Sequence, residues 1–341
     1  MPKRPTQRDI AQQAGTTQAT VSLALSNHPR ISTQQRKQIQ QIARQMGYEI
    51  DPYLSGLSAY RRKLRPPQFH GVLAWISNDV CGESWKDITT FQHYFRGASV
   101  QAAELGYRIE EHFLRAPGMT PERVIQILRH RGVSGILFAP QPQSELRLKI
   151  DLRHFSAVTF GYSLVEPRLH MASSHHFRIT EILMQKILAL GYKRPGLAFD
   201  EERDRRTAHL FSAAFMSEQR RLPSRNRIPI LMKANLEKDL FLSWFQKEKP
   251  DVIITLWEVV HPWLKEERIR VPQDVGLALL SVRYRKENYS GIWERPDITG
   301  KRAVEYLVDL IHRGERGVPS IPSYLLIEGE WITGKTVRAQ R

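Results

Sequence analysis

The sequence predicts an all-α unit of three short helices followed by an α/β core of two doubly wound parallel-sheet lobes. Apolar residues recur at helical spacing between residues 6 and 47. From residue 70 onward, apolar strands alternate with amphipathic helices, which is typical of parallel sheets covered by helices. Two helices in this second part end in Leu-Gly-Tyr before a strand, at residues 105–107 and 190–192, so we expect two similar halves.

The first two predicted helices lie on either side of a tight turn. Thr6 and Asp9 have the spacing of a capping box, and Gly15 can adopt the left-handed backbone of a turn. The second helix is expected at residues 18–25. Three of its apolar side chains are predicted to face inward: Val21, Ala24 and Leu25. Small residues at the bend let the helices cross closely, as in a helix-turn-helix that inserts its second helix into a DNA major groove.

A third helix is predicted to support this pair. Ser32 and Gln35 have capping-box spacing, and Gly47 lies where the helix should end. Its apolar face is expected to consist of Ile39, Ile42, Ala43 and Met46. Three such helices can also begin a larger helical domain. The caps, the turn glycine and the local charge together favour a separate DNA-binding unit.

Positive charge is concentrated in the first part of the chain. The formal net charge of the 341 residues is +16, and residues 1–65 contribute +8 through 11 Lys and Arg against 3 Asp and Glu. The remaining 276 residues carry the other +8. A dense basic region supplies the phosphate contacts that dominate affinity for nucleic acid. A solvated basic surface is the alternative interpretation.

The segment DIAQQAGTTQATVSLALSNHPRISTQQRKQIQQIARQMGYEIDP, residues 9–52, resembles the DNA-binding headpiece of LacI-family transcriptional regulators. Its A-G-T-T turn and T-V-S triplet are the specific parts of that pattern. The resemblance implies that bases are read after the capping threonine and after the triplet, at Gln18, Ala19 and Leu23. It implies phosphate or groove contacts at Thr17, Ser22 and Asn27. The family often has arginine where this chain has Leu23, so recognition there must be apolar, for example of a thymine methyl group.

Residues 51–67 are predicted to form a hinge helix or linker between the headpiece, residues 1–50, and the core. Pro66 and Pro67 stiffen its end, and Gly56 weakens its helix. In the family this segment folds on DNA and wedges an apolar side chain into the minor groove, which corresponds to Leu57 here. Leu54 and Ser55 replace the usual Ala-Arg pair, so the hinge arginine contact is missing. A simple tether is the alternative.

Eight buried strands are expected in the core, most of them continuous apolar runs, as parallel strands should be. Their predicted ranges are 71–76, 107–114, 135–139, 157–160, 196–199, 228–232, 252–256 and 275–280. The resemblance extends over this region and implies a periplasmic-binding-protein-like domain, residues 68–341, that binds an effector and dimerises. The ranges expected for lobe 1 are about 68–162 and 295–322, and those for lobe 2 about 163–294 and 323–341.

The resemblance also implies where an effector would bind, in a cleft between the lobes. The corresponding positions are Phe91, Arg205, Thr207, Trp257 with Glu258, and Ser281. Trp257 replaces an amide with an aromatic surface, and Ser281 replaces a carboxylate with one hydroxyl, which weakens binding of a polyol. Phe91 and Trp257 can alternatively be ordinary core residues at the contact between lobes.

Other chemistry finds little support in the sequence. The histidines and the single cysteine, Cys81, lack the paired spacing of zinc sites, and no phosphate-binding glycine loop or serine-nucleophile elbow is present. We therefore expect no cofactor, no metal and no enzymatic activity. No signal-peptide-like segment and no 18-residue apolar run is found, so the predicted location is the cytoplasm, without membrane association.

The sequence thus predicts an all-α helix-turn-helix headpiece joined to a two-lobed α/β core. The function that follows is a homodimeric transcriptional repressor that binds a pseudo-palindromic DNA operator and responds to a sugar-like small molecule. Three alternatives stay open: the same regulator without a small-molecule response, a soluble sugar-binding protein, and an α/β enzyme.

Overall fold

The computed structural model describes residues 5–25, 31–48, 69–81, 83–141, 143–285 and 288–340. Two residues with predicted DNA contacts, Asn27 and Leu57, lie outside the described residues, as does the predicted hinge segment. The headpiece and the core are therefore described separately.

The headpiece contains three helices, as predicted: α1 (Gln7–Gln13), α2 (Gln18–Leu25) and α3 (Thr33–Gln45). Thr6 and Asp9 form the expected capping box of α1, and Gly15 has the left-handed φ of +60° that the turn requires. The Ser32 hydroxyl accepts a hydrogen bond from the backbone N of Gln35 and caps α3. The side-chain amide of Gln40 donates to the carbonyl oxygen of Ala24 at 3.1 Å and joins α3 to the end of α2.

Buried apolar side chains from all three helices form one small core: Ile10, Ala11, Val21, Ala24, Ile31, Ile39 and Ala43. Leu25, predicted to face inward with Val21 and Ala24, packs against this core while partly exposed. The burial of one face of α2 leaves the opposite face in solvent.

The first half of the core alternates strands and helices and then continues through five consecutive strands. The elements of this half are β1 (Gly71–Ser77), α4 (Glu83–Lys86), α5 (Thr89–Glu104), β2 (Tyr107–Phe113), α6 (Pro121–His130), β3 (Gly135–Phe138), β4 (Leu146–Arg147), β5 (Ser156–Phe160), β6 (Leu164–Glu166) and β7 (His170–Ser174).

The second half again alternates strands with helices for most of its length, and a helix and a strand near its end return to the first part of the core. Its elements are α7 (His176–Ala189), β8 (Pro195–Asp200), α8 (Glu201–Arg206), α9 (Leu210–Gln219), a 3-10 turn (Ser224–Asn226), β9 (Leu231–Lys233), α10 (Lys238–Glu248), β10 (Val252–Thr255), α11 (Val260–Glu266), β11 (Gly276–Leu279), β12 (Ser290–Trp293), α12 (Pro296–Arg313), β13 (Tyr324–Ile327) and β14 (Glu330–Ile332).

Two six-stranded sheets organise these elements into two lobes. The first sheet has the order β13-β7-β5-β3-β1-β2 and is parallel throughout. The second has the order β14-β12-β11-β10-β8-β9, in which only β14 runs antiparallel to its neighbour. We call the part of the chain around the first sheet lobe 1 and the part around the second sheet lobe 2. The predicted α/β fold class is thus present in the structure.

Several strands differ from the predicted set. β9 covers Leu231–Lys233 rather than residues 228–232, because Pro229 has no N–H to donate to the ladder. β4, β6, β7, β12 and β13 were not predicted. β7 is completely buried although its sequence, HMASS, is largely polar, so its burial could not be inferred from an apolar run.

The sheets shift two of the predicted lobe boundaries. β7 and β13 both pair in the first sheet, so the chain leaves lobe 1 after Ser174 and after Ile327. The boundaries predicted from the sequence, at residues 162 and 322, lie N-terminal to these positions. The remaining crossing lies between β12 and α12, at residues 294–295.

The chain crosses between the lobes three times, and each crossing lies in contact with at least one of the others. The backbone N of His175 donates to the carbonyl oxygen of Ile327 at 2.8 Å. His176 Nε2 lies 3.7 Å from the Glu294 carboxylate, and Arg295 pairs with Glu330 at 3.3 Å. The crossings therefore form one connected hinge rather than three separate linkers.

In lobe 1, α5 and α12 pack with their backbones in direct contact at two glycines. A Cβ added at Gly97 would lie 2.1 Å from the carbonyl oxygen of Asp297, and one added at Gly300 would lie 2.1 Å from that of Tyr94. Only residues without a side chain allow this approach. α12 is the first helix after the second crossing, so its position depends on these two glycines.

Gly300→Ala is expected to lower the free energy of unfolding by roughly 1–3 kcal/mol, because the new methyl group forces the two backbones apart. At a glycine on an exposed helix face, the same change would raise the free energy of unfolding by about 1 kcal/mol. The sign of the effect therefore tests the contact. Chemical denaturation of the full chain measures it. Glu104→Ala, an exposed change at the end of α5, should alter stability by less than about 0.5 kcal/mol.

Candidate functional site

The outward face of α2 is the first candidate site. Four residues that the sequence predicts to contact DNA are exposed along it: Thr17, Gln18, Ala19 and Ser22. Val21 and Ala24 on the opposite face are fully buried. Leu23 is only partly exposed, because it packs against the headpiece core. The structure thus brings five of the six headpiece positions onto one helix, and the sixth, Asn27, lies outside the described residues.

Thr17 has a structural role at the start of α2. Its hydroxyl oxygen accepts a hydrogen bond from the backbone N of Thr20 at 3.2 Å and lies 2.9 Å from the Thr20 hydroxyl. Thr17 is therefore the residue that caps this helix. A capped N-terminus holds Gln18 and Ala19, in the first turn, in a fixed orientation.

The charge around this helix is positive. Arg8, Lys37 and Arg44 are exposed. Asp9 is the one acidic residue in the described part of the headpiece, and its carboxylate accepts hydrogen bonds from the backbone N and the hydroxyl of Thr6, both at 2.7 Å. The exposed cations of the headpiece can therefore contact a polyanion such as DNA, whereas the Asp9 carboxylate is hydrogen-bonded in the cap of α1.

The second candidate site is the cleft between the lobes, where the carboxyl ends of strands from both sheets meet. The backbone N and the hydroxyl of Ser144 in lobe 1 donate to the Glu202 carboxylate in lobe 2, at 3.2 and 3.0 Å. The Phe91 ring of lobe 1 lies 5.8 Å from the Arg206 guanidinium of lobe 2. Ligands of open α/β sheets bind at this edge, so the position suits a binding site.

The lobe 2 side of the cleft is built around α8. The buried Asp200 carboxylate caps this helix by accepting from the backbone N of Arg203 at 3.0 Å, and its other oxygen accepts from the Trp257 indole N–H at 3.2 Å. The Arg203 guanidinium lies 3.8 Å from the centre of the Trp257 ring and 3.7 Å from Asp200. Asp200 thereby fixes both the tryptophan and the arginine that stacks on it.

Burial changes the ionisation of two arginines here. The pKa of Arg203 is lowered because burial removes the guanidinium from water, an effect that outweighs attraction by Asp200 and Glu202. The pKa of Arg206 is lowered for the same reason, with repulsion by Arg203 adding to it and attraction by Glu202 opposing it. Both side chains remain cations, because a guanidinium group is not deprotonated in proteins. Burial therefore makes the charged form of each side chain less favourable, and a nearby anion would offset this effect.

The predicted ligand residues Arg205 and Thr207 lie away from these aromatic rings. Arg205 is on the exposed side of α8, where it pairs with Glu202 at 3.1 Å. The Thr207 hydroxyl donates to the carbonyl oxygens of Arg203 and Asp204, both at 3.1 Å, and so closes its own helix. Their roles as effector contacts stay predictions, and the geometry gives Arg203 and Arg206 the better position.

The remaining predicted positions lie at strand ends of the two lobes. Phe91 is in the first turn of α5 and stacks on Tyr94, with ring centres 6.0 Å apart. Trp257 and Glu258 follow β10, and Glu258 pairs with Arg283 at 2.9 Å. Ser281 follows β11 and is half-buried. Phe91 and Trp257 are the two predicted positions that the structure places next to cations of α8.

The sequence analysis missed Arg203 and Arg206. The signal was present in the segment EERDRR, since residues three apart on a helix share a face whereas Arg205 points elsewhere. The family resemblance instead selects Arg205, the position that corresponds to a ligand contact in that family.

The buried pair His176 and Glu294 lies at the hinge and was also not anticipated. His176 begins α7, directly after the first crossing, and its ring packs on Phe211 at 4.8 Å. Its Nδ1 has no hydrogen-bond partner among the described residues. Burial lowers the pKa of His176, attraction by Glu294 opposes this, and repulsion by His175 adds to it.

Two further properties concern the described residues alone. They contain no group of three or more His, Cys, Asp or Glu side chains arranged to hold a metal ion. None of the helices among them is long and apolar enough to cross a membrane.

The chain thus combines a three-helix headpiece with a two-lobed α/β core. Residues 6–50 match the family model described as bacterial regulatory proteins, lacI family. The resemblance predicted from the sequence is thus confirmed in the headpiece by this model, and in the core by the fold. No curated protein sequence matches the chain.

Solved structures share the fold over nearly the whole chain. A lac repressor dimer bound to operator and the anti-inducer ONPF has 14% identity and a TM-score of 0.56, covering 99% of this chain and 100% of its own. A complex of the transcriptional regulator CelR with cellobiose has 15% identity and a TM-score of 0.54, covering 98% and 100%.

A LacI family transcriptional regulator from Enterococcus faecium, with bound ribose, has 11% identity and a TM-score of 0.56. It covers 79% of this chain and 100% of its own. At these identities the likeness establishes the fold, and the ligands and DNA named belong to those proteins.

His176 provides a test of the hinge by pH. Because its folded pKa lies below the ordinary value of 6.5, the unfolded chain binds more protons as the pH falls through 6.5, and stability is lost there. The melting temperature of His176→Gln should therefore fall less than that of the wild type between pH 7.5 and pH 5.5, a window of about one unit on either side of that value. Exposed His130→Gln is the control and should follow the wild type; equal slopes for His176→Gln would contradict the burial.

Proposed function

We propose that the chain is a sequence-specific DNA-binding transcriptional regulator, a repressor without enzymatic activity, that binds a pseudo-palindromic operator as a homodimer. The exposed outer face of α2 is the observation that carries this proposal. It presents a capped helix with polar and small residues outward, on a unit whose described surface is basic. The match of residues 6–50 to a family of regulatory proteins supports it.

Each residue of this face suits a defined contact with DNA. The Gln18 amide can bond the N6 and N7 positions of adenine in a bidentate manner, and Ala19 can contact a thymine methyl group. Thr17 and Ser22 have hydroxyls for phosphate oxygens. Leu23 contributes an apolar edge that is partly held by the headpiece core, so its contact is expected to be shape-dependent rather than hydrogen-bonded.

Dimerisation follows from the size of one headpiece. A single three-helix unit buries too little surface for specific affinity, so two units on inverted half-sites are required. The proposed layout is a headpiece at residues 1–50, a hinge helix or linker at residues 51–67, and a core at residues 68–341. In this layout Leu57 wedges into the minor groove and Asn27 contacts the backbone of the DNA; both contacts rest on the sequence pattern.

The core is proposed to bind a small molecule in the cleft and to transmit its presence to the headpieces. A ligand can do so only if it binds one arrangement of the lobes more tightly than another. The three crossings, joined in pairs, provide a hinge on which the lobes can change their arrangement. Sugar-bound structures with the same fold support a carbohydrate-related effector.

A regulator without a small-molecule response is the second candidate. One observation favours it: the guanidinium groups of Arg203 and Arg206 lie on the two aromatic walls, Trp257 and Phe91, where a sugar ring would stack. The cleft is then filled by the side chains of the protein itself, and the lobes are held in one arrangement.

Gln18→Ala is expected to weaken binding to an operator selected from random duplexes by roughly tenfold or more, because a bidentate base contact contributes about 1–3 kcal/mol of discrimination. Fluorescence anisotropy at fixed salt concentration measures the dissociation constant. Selection on wild-type protein supplies the DNA.

Gln41→Ala is the matched control, since Gln41 is exposed on α3 rather than α2. Its operator affinity should equal that of the wild type. If the two variants bind alike, α2 does not read the bases; if wild-type protein enriches no sequence at all, the DNA-binding proposal is wrong.

A further inference from the structure

The turn between α8 and α9 has an unusual backbone. Ala208 and His209 both have left-handed φ angles, of +51° and +58°. Residues with a Cβ seldom adopt this conformation, and two in succession persist only where the surroundings hold them. The backbone N of Ala208 donates to the carbonyl oxygen of Arg205 at 2.9 Å, and that of His209 donates to the carbonyl oxygen of Asp204 at 2.8 Å. These bonds fix the position from which the His209 side chain projects.

This turn lies at the edge of lobe 2 that faces lobe 1. β8 and β9 are parallel neighbours, so α9 must start at the carboxyl edge of the sheet and return towards the start of β9. Phe211, in the first turn of α9, has its ring centre 4.8 Å from that of His176, just after the first crossing. The Tyr162 ring of lobe 1 lies 6.0 Å from the same His176 ring. His209 therefore begins a helix whose first turn packs at the boundary between the lobes.

A buried carboxylate holds the His209 ring. Asp204 is only 4% exposed, and one of its carboxylate oxygens lies 2.9 Å from His209 Nδ1 and accepts from the Ser212 hydroxyl at 2.8 Å. An ionised carboxylate can only accept, so Nδ1 carries the proton of the neutral ring and Nε2 is a hydrogen-bond acceptor. The His209 side chain is 64% exposed. The pair thus presents an acceptor with a fixed tautomer at the cleft edge of lobe 2.

This acceptor compensates for two that the resemblance to LacI-type regulators implies and that this chain does not have. Trp257 has an indole in place of an amide, and Ser281 has a hydroxyl in place of a carboxylate. An indole accepts no hydrogen bond, and a hydroxyl accepts fewer than a carboxylate. Arg205 adds none, because a guanidinium group only donates. A sugar hydroxyl that donates in the cleft can do so to His209 Nε2.

We propose that His209 contacts the effector in the cleft, and that its Nε2 accepts a hydrogen bond from a hydroxyl group of a neutral, sugar-like ligand. Asp204 is the positioning residue that sets the tautomer. The inference rests on the function proposed above only in taking the cleft as the effector site. The first turn of α9 packs against the first crossing through Phe211 and His176, so a ligand held by His209 can favour one arrangement of the lobes.

His209→Asn isolates this contact in the full chain without DNA. Asparagine tolerates the left-handed backbone, and its amide can donate to Asp204 in place of Nδ1, but it has no atom at the position of Nε2. The probes are D-glucose, D-ribose, maltose and cellobiose, each at about 10 mM, and at least one should raise the melting temperature of the wild type, as a ligand of the native state does. Calorimetry should show that His209→Asn binds that sugar roughly tenfold or more weakly, the loss expected for one hydrogen bond.

Two variants serve as controls for stability and for the substitution itself. Ser212→Ala removes the other side-chain donor to Asp204 and should lower the melting temperature, yet its sugar affinity should stay within about threefold of the wild type because His209 keeps its partner. His130→Asn makes the same substitution at an exposed position of α6, in lobe 1, and should change neither property.

The tautomer gives a readout that a purely structural role would not move. Long-range proton–nitrogen NMR spectra of the chain with isotope-labelled histidines report which ring nitrogen carries the proton. The His209 signals are assigned by their loss in His209→Asn. They should show the proton on Nδ1, and the bound sugar should shift the signal of Nε2.

The proposal is wrong if no sugar of the panel binds the wild type, if His209→Asn binds as tightly as the wild type, or if the neutral His209 ring carries its proton on Nε2. Loss of binding in Arg205→Gln with His209→Asn unaffected would instead support the residue implied by the resemblance. These results are separate from the DNA-binding proposal, because a chain that selects no DNA can still bind a sugar in its cleft, and a chain that selects DNA can ignore every sugar.

Discussion

The constraint on which the core depends is the threefold passage of the chain between its lobes. The crossings after β7, β12 and β13 leave and enter the sheets at the same edge, so the carboxyl ends of both sets of strands face each other. Their pairwise contacts, through His175, His176 and Arg295, make the crossings a single hinge. A cleft lined by strand ends follows from this connectivity.

Within that cleft, α8 determines the chemistry. Its cap, Asp200, fixes Trp257 as well as the helix, and two of its arginines point towards aromatic rings while the third pairs with Glu202 on the outside.

The headpiece could be predicted almost residue by residue, because its signals are local: the Thr6 capping box, the left-handed Gly15 and the range of α2 all depend on neighbouring residues. The core was predicted in class and in most strands. β7 was missed because its serines are buried through long-range pairing, and this displaced the lobe boundaries. Arg203 and Arg206 were missed because their roles depend on rings from distant segments, Trp257 and Phe91, which no local pattern connects to them.

The central claim is that the cleft is coupled, through the crossings between the lobes, to the proposed DNA-binding face of α2. Linkage requires that a ligand which changes DNA affinity by some factor has its own affinity changed by the same factor when DNA is bound. The most direct test is calorimetry of the binding of an effector, identified by screening a panel of sugars and sugar derivatives, to the full chain with and without saturating operator DNA. The account predicts two different dissociation constants whose ratio equals the change in operator affinity caused by the ligand, and equal constants would contradict it.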